Sequence, residues 1–181
     1  MIVRGFALCA LLFLPVTAGF AQPKSNAIEA RLQRVEDELA IRRVLVDYAA
    51  FLDGRDFARY AALFTTDGEW SNATASHKGQ AAIRQMLEGT LGKPGAPNRA
   101  NFHIISNPQV DLDGDHATAT SRYLFVMRAP DGRPQPSLAG IYKDELVRQA
   151  GQWKIRRRVA DDIMPTADEW TKIIATQAPK P

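Results

Sequence analysis

Among its 181 residues this chain has one cysteine, Cys9, and three histidines, His77, His103 and His116. Cys9 sits in the apolar N-terminal stretch, so the rest of the chain has no thiol nucleophile, no thiolate metal ligand and no disulfide, and its core must hold by packing alone. No two histidines stand at a short ligand spacing, so neither a metal nor another cofactor is expected. Gly92-Lys93-Pro94-Gly95 lacks the spacing of a phosphate-binding loop, and no nucleophile elbow occurs. A one-sided charge is also missing: 23 Lys and Arg against 20 Asp and Glu give +3. The positive residues are scattered apart from Arg156-Arg157-Arg158, which argues against a nucleic-acid partner.

The N-terminus carries one positive residue, Arg4, then an apolar run from Gly5 to Phe13 and Pro15. That run is short for a bilayer span of about 20 residues. Small residues at Gly19 and Ala21 suit a signal peptidase, so residues 1–21 read as a signal peptide cleaved near Ala21, and the mature protein as secreted or periplasmic. About 160 residues remain, enough for one domain with a sizeable core. Residues 22–26 read as a tether, 27–165 as the domain, and 166–181 as a short C-terminal helix and tail.

From Ala27, apolar residues recur at helical spacing through Ile28, Leu32, Val35, Leu39, Val44, Leu45, Tyr48 and Leu52, with Asn26 placed to cap the helix. The spacings of four and three between Ile28 and Leu39 suit packing against a second subunit as well as against the chain's own core. Asp53-Gly54-Arg55-Asp56 breaks this helix, and Asp56 caps a short second one carrying Phe57, Tyr60, Ala61, Leu63 and Phe64. Thr65-Thr66-Asp67-Gly68 reads as a turn, Glu69 to Ala73 as a short strand and His77-Lys78-Gly79 as another turn. Gln80 to Leu91 reads as a helix, and Gly92 to Arg99 as a loop.

Four strands follow, Ala100–Leu112, His116–Ala129, Leu138–Gln149 and Trp153–Ala160, joined by turns as an antiparallel meander. Trp153, Ile155, Arg157 and Val159 are expected on one face, with Trp153 in the core. Arg157 then has to snorkel, pair with an acid such as Asp144 or Asp161, or hold an anionic ligand. Thr166-Ala167-Asp168-Glu169 is a capping box for a last helix. Helices, a short strand, a helix and then a sheet make an α+β arrangement.

Asp53 closes the first amphipathic helix, and His103 lies within Phe102-His103-Ile104-Ile105-Ser106-Asn107. A carboxylate bonded to one imidazole nitrogen leaves the other basic, oriented and able to take a proton from carbon or oxygen. Each residue taken alone also fits a plainer role, a satisfied strand histidine and a turn-forming aspartate. Tyr48, Tyr123 and Tyr142 could donate to a developing oxyanion, or simply pack in the core with the hydroxyl at its rim.

Taken in order, several segments resemble the SnoaL-like members of the nuclear transport factor 2-like superfamily. They are the helix ending in Tyr48 and Asp53, Asp56 through Leu63-Phe64-Thr65-Thr66-Asp67-Gly68-Glu69-Trp70, and Lys78-Gly79 before a helix. Phe102-His103 followed by Asn107, Gly140-Ile141-Tyr142-Lys143-Asp144-Glu145-Leu146 and Gly151-Gln152-Trp153-Lys154-Ile155 complete the set. The resemblance implies a cone-shaped roll, a strongly curved antiparallel sheet wrapped by N-terminal helices around a pocket, with homodimers or higher homo-oligomers common.

It also implies, through members such as scytalone dehydratase and hexachlorocyclohexane dehydrochlorinase, an Asp–His pair that eliminates water or chloride, at Asp53 and His103 here. The pocket would be lined by Tyr48, Trp70, Asn107, Tyr123, Phe125, Met127, Tyr142 and Arg157 around a small apolar molecule. The chain departs from the dehydratase pattern in having no second histidine in Tyr123–Met127 and Tyr142 where that enzyme has an asparagine. The function implied is an exported, cofactor-independent lyase or isomerase acting on a cyclic or aromatic substrate. The alternative is a non-catalytic module of the same fold, for ligand binding or subunit assembly.

Overall fold

The computed structural model describes residues 23–177, so the expected leader lies outside the described residues. The elements are α1 (Pro23–Asp53), α2 (Phe57–Ala62), β1 (Phe64–Ser71), β2 (Ser76–Lys78), α3 (Gln80–Leu91), β3 (Asn101–Asp113), β4 (His116–Arg128), β5 (Pro134–Gln149), β6 (Gln152–Met164) and α4 (Ala167–Gln177). The strands form one sheet in the order β2-β1-β6-β5-β4-β3. The antiparallel meander β3 to β6 is as expected, while β1 adds to β6 in parallel. This is the expected α+β cone, with α1, α2 and α3 closing the concave side of the curved sheet.

Several boundaries differ from the sequence reading. Residues 23–26 are the first turn of α1 and not a tether, and Asn26 is inside the helix rather than at its cap. A proline suits that start because the first helical N–H has no partner to lose. Thr65–Gly68 is strand, not turn: β1 runs unbroken from Phe64, with a register shift before Glu69 where it meets β6. His77 and Lys78 belong to β2, and Phe64 to β1 rather than to α2. Gly68 is needed there, since a Cβ would stand 2.9 Å from the Ile155 carbonyl oxygen. β5 starts at Pro134, where β4 alone pairs with it, because β6 reaches only to Ala139; prolines are tolerated on such a free edge. The capping box at α4 forms, Thr166 N–H donating to Glu169 at 2.8 Å.

Bulges set both the curvature and the facing of side chains. Register shifts fall between Ser106 and Gln109 in β3, at Phe125/Val126 in β4, and at Ala139/Gly140 and Glu145/Leu146 in β5. The last of these moves the inward arginine of β6 one residue along. Arg158 is buried and Arg157 is exposed, so the expected sharing of one face by Trp153, Ile155 and Arg157 breaks after Ile155.

Strand pairing stacks the concave face in rows. His103 pairs with Phe125, which pairs with Leu138; Ile105 with Tyr123, then Gly140, then Asp162; Ser121 with Tyr142, then Ala160; Ala119 with Asp144, then Arg158, then Trp70. Against these rows pack Ile41, Leu45, Tyr48 and Leu52 of α1, Phe57 and Tyr60 of α2, and Ile83 and Leu87 of α3.

Candidate functional site

The end of α1 sets the position of Asp53. Arg55 takes a left-handed backbone, φ 56°, and its guanidinium bonds back to the Leu52 carbonyl and across to Asn101, at 3.1 and 3.2 Å. Asn98 donates to the Asp53 carbonyl at 3.0 Å and to the Asn101 carbonyl at 2.8 Å, tying the helix end to the start of β3. Arg55 is buried, which lowers its pKa, while the Asp53 carboxylate acts to raise it.

Asp53 meets His103 through both carboxylate oxygens. Oδ1 lies 2.7 Å from the ring Nδ1, and Oδ2 accepts the His103 backbone N–H at 2.8 Å. The two-point contact fixes both the strand position and the ring. With Nδ1–H donated to the carboxylate, Nε2 carries the lone pair, and it has no hydrogen-bond partner among the described residues. The His103 side chain is 10% exposed and that of Asp53 23%. The Phe125 ring lies 4.6 Å from the imidazole, centroid to centroid. Asp53 also lines an open recess of about 390 Å³ with Asn98, Phe102, Val126, Met127 and Pro134.

Deeper rows hold the tyrosines. Trp70 donates its indole N–H to the Tyr48 hydroxyl at 3.0 Å. Tyr48 meets Tyr142 edge to face at 5.3 Å, and Tyr142 stacks on Tyr123 at 4.3 Å. Burial holds the Tyr142 hydroxyl, and that of Tyr60, well above the ordinary phenol range, so both stay protonated. Tyr123 donates to Asp162, one row inside the His103 row. Burial raises the Asp162 pKa, and the neighbouring Asp161 adds to it against the lowering effect of the Tyr123 bond.

Three expected pocket residues stand elsewhere or act otherwise. Asn107 is exposed at the β3 bulge, φ 50°, outside the concave face. Arg157 points outward and pairs loosely with Glu145 at 3.5 Å. Met127 is half-buried in the recess beside Asp53, not in the rows of tyrosines.

The interior is also less apolar than expected. Arg158 makes a two-pronged bond to Asp144, 2.6 and 2.7 Å, and lies over the rings of Tyr48 and Tyr142 at 3.8 and 4.4 Å. Burial works against the charge, but the Asp144 carboxylate outweighs it and the guanidinium pKa is raised. Asp162 and Arg158 were missed as interior residues because a strand alternation read without its bulges assigns them to the wrong face; Asp144 shares the parity of Tyr142 and Leu146 and was read only as a partner for Arg157. The Arg156-Arg157-Arg158 triplet was the available signal, since a basic run beside apolar Trp153 and Ile155 has room for one inward member.

The model of the SnoaL-like domain matches residues 33–159. The chain belongs to the SnoaL-like family. An uncharacterized Mycobacterium tuberculosis relative is 35% identical over 134 residues, 69% of this chain and 84% of its own. A crystal structure of a nuclear transport factor 2-like protein with a cystatin-like fold, from Novosphingobium aromaticivorans, superposes with TM-score 0.73 at 23% identity, covering 82% of this chain and 96% of its own. A second structure from that organism, named for scytalone dehydratase, is 32% identical with TM-score 0.59, covering 78% and 88%. For a SnoaL-like cone, the concave face between sheet and helices is where His103, Phe125, Tyr123 and Trp70 converge.

Proposed function

We propose that this SnoaL-like protein is an exported, cofactor-independent lyase or isomerase that abstracts a proton from carbon in a small, mainly apolar, cyclic or aromatic substrate. The observation that carries the reading is the His103 imidazole, bonded to Asp53 at 2.7 Å through Nδ1 and with no partner at Nε2 among the described residues. Nε2 takes the substrate proton, and Asp53 stabilises the imidazolium that forms. Tyr48 or Tyr142 donates its hydroxyl to the oxygen that gains charge, and burial keeps the Tyr142 phenol from ionising. The Tyr123–Asp162 pair, one row further in, provides a second place from which a proton reaches a leaving group or a distant carbon. Loss of water, loss of halide and double-bond migration share the first step. The likeness to the protein named for scytalone dehydratase supports this class.

Because that first step is common to all three, the test reads proton abstraction itself and works whichever product forms. A panel of cyclic ketones, phenols and halogenated rings is incubated with protein in deuterium oxide and read by mass for exchange at carbon. Wild type is expected to exchange at least one class, and His103→Gln to lose about 10²- to 10⁴-fold in rate. Exchange that is independent of His103 would overturn the reading.

A further inference from the structure

Helix α1 has two apolar faces on opposite sides, and the fold uses one. Ile41, Val44, Leu45, Tyr48 and Leu52 face the core. Ile28, Leu32, Val35, Leu39 and Val46 are 55–64% exposed. At 3.6 residues per turn the second set is centred roughly 150° round the helix from the first. Every residue from Asn26 to Glu36 is exposed, so among the described residues the first turns of α1 project past the domain with no element over them. A helix of that length is marginal alone in water.

The exposed set has the spacing of a coiled-coil seam. Leu32, Leu39 and Val46 take position a, and Ile28, Val35 and Arg42 take position d. The flanking charges then fall at g (Arg31, Glu38) and e (Glu36, Arg43). In a parallel pair, each g residue meets the e residue five positions on in the partner helix: Arg31 meets Glu36, and Glu38 meets Arg43. All four contacts across the pair join opposite charges. The antiparallel register that keeps the same layers in contact would set Glu36 against Glu36 and Glu38 against Glu38. Glu38 and Arg43 now hold Arg42 and Asp47 within the helix, at 2.7 and 2.8 Å, through surface bonds that exchange readily.

We propose that the exposed face of α1 is an interface with a second copy of this chain, formed as a parallel two-helix coiled coil over 28–46. Leucine at a with isoleucine or valine at d by itself suits three or four strands. Here Arg42 interrupts the seam, Arg31, Glu36, Glu38 and Arg43 put charges at g and e, and from Asp37 onward the protein's own domain covers the far side of the helix, which leaves room there for one partner. The contact is remote from the Asp53–His103 pair, and the inference is independent of the proposed chemistry.

Sedimentation of the full chain at micromolar concentration is expected to give a dimer. Leu39→Glu puts a charge into the seam without touching the core, and is expected to raise the dissociation constant about a hundredfold or more while the near-ultraviolet signal of the domain is kept. Arg31→Glu weakens the dimer, and adding Glu36→Arg restores it. In a Cys9→Ser background, Leu32→Cys crosslinks to its counterpart on mild oxidation, since equal positions face each other only in the parallel pair. A monomer at this concentration, whether its stripe is covered by its own residues 1–22 or by phosphatidylglycerol vesicles in a co-sedimentation control, overturns the proposal. A dimer insensitive to Leu39→Glu overturns it as well. A trimer or tetramer, or no Leu32→Cys crosslink, overturns the parallel two-helix form.

Discussion

Breaking the Arg158–Asp144 pair is the sharpest test of how this interior is held. Its side chains are 1% and 0% exposed, so water screens neither charge. Arg158→Met leaves Asp144 buried without its partner, and Asp144→Val leaves the guanidinium between the faces of Tyr48 and Tyr142 with no counter-ion. Removing one member of a buried pair costs about 3–5 kcal/mol, much of it the uncompensated charge left behind. That is a large fraction of the roughly 5–15 kcal/mol that holds a domain. At about 2–4 °C per kcal/mol for a domain of this size, the midpoint falls by roughly 10 °C.

The double variant removes both charges at once and is expected to cost less than either single one, as replacement of a buried pair by apolar groups is often close to neutral. Urea unfolding followed by tryptophan fluorescence gives the four free energies of the cycle, with unchanged slopes showing that stability and not the surface exposed on unfolding has changed. Single variants costing under about 1 kcal/mol, or a double variant equal to their sum, would refute the argument that the two charges depend on each other.

Asp53→Asn should keep the ring near its place while losing the charge that stabilises the imidazolium; the carbon-exchange rate is expected to fall about 10²-fold or more, with ligand affinity little changed by titration. Gly140→Ala should displace Tyr123, because a Cβ there would overlap its hydroxyl and the Asp161 carbonyl. A loss of about 1–3 kcal/mol in urea is expected, and an unchanged midpoint would contradict the packing described. Asp37 carries a pKa lowered from its ordinary 3.8, first by its bond to Arg148, with bonds from Trp153 and Gln33 adding to it against burial. A folded value below the unfolded one stabilises above the unfolded pKa and is lost as pH falls through the folded one. Asp37→Asn should therefore lower stability at pH 7 and flatten the fall below about pH 4, measured as urea midpoints across that range.

Much of the fold was legible locally. The bounds of α3, the start of β4 and the end of β5 follow from apolar period and turn residues, and the α4 cap from a four-residue pattern. Boundaries failed where a partner strand decided them: β1 absorbs an apparent turn at Thr65–Gly68 because β6 pairs with it on both sides, at Phe64 and again from Glu69. The Asp53–His103 pairing could be suspected only from the two local contexts and the family resemblance. They stand 50 positions apart, and only the folding of the chain between them brings them together.

Composition and pattern alone determined that this is one α+β domain without thiol chemistry, that a helix ends at Asp53, and that four long strands follow. Those are properties of neighbouring residues, and neighbouring residues carry them. The tertiary structure alone decided which arginine turns inward, that Tyr123 reaches Asp162, that Asn107 faces water, and that His103 meets Asp53. Each depends on a bulge or on a cross-strand register, and a shift of one residue reverses every side chain beyond it while leaving the local pattern of the sequence unchanged.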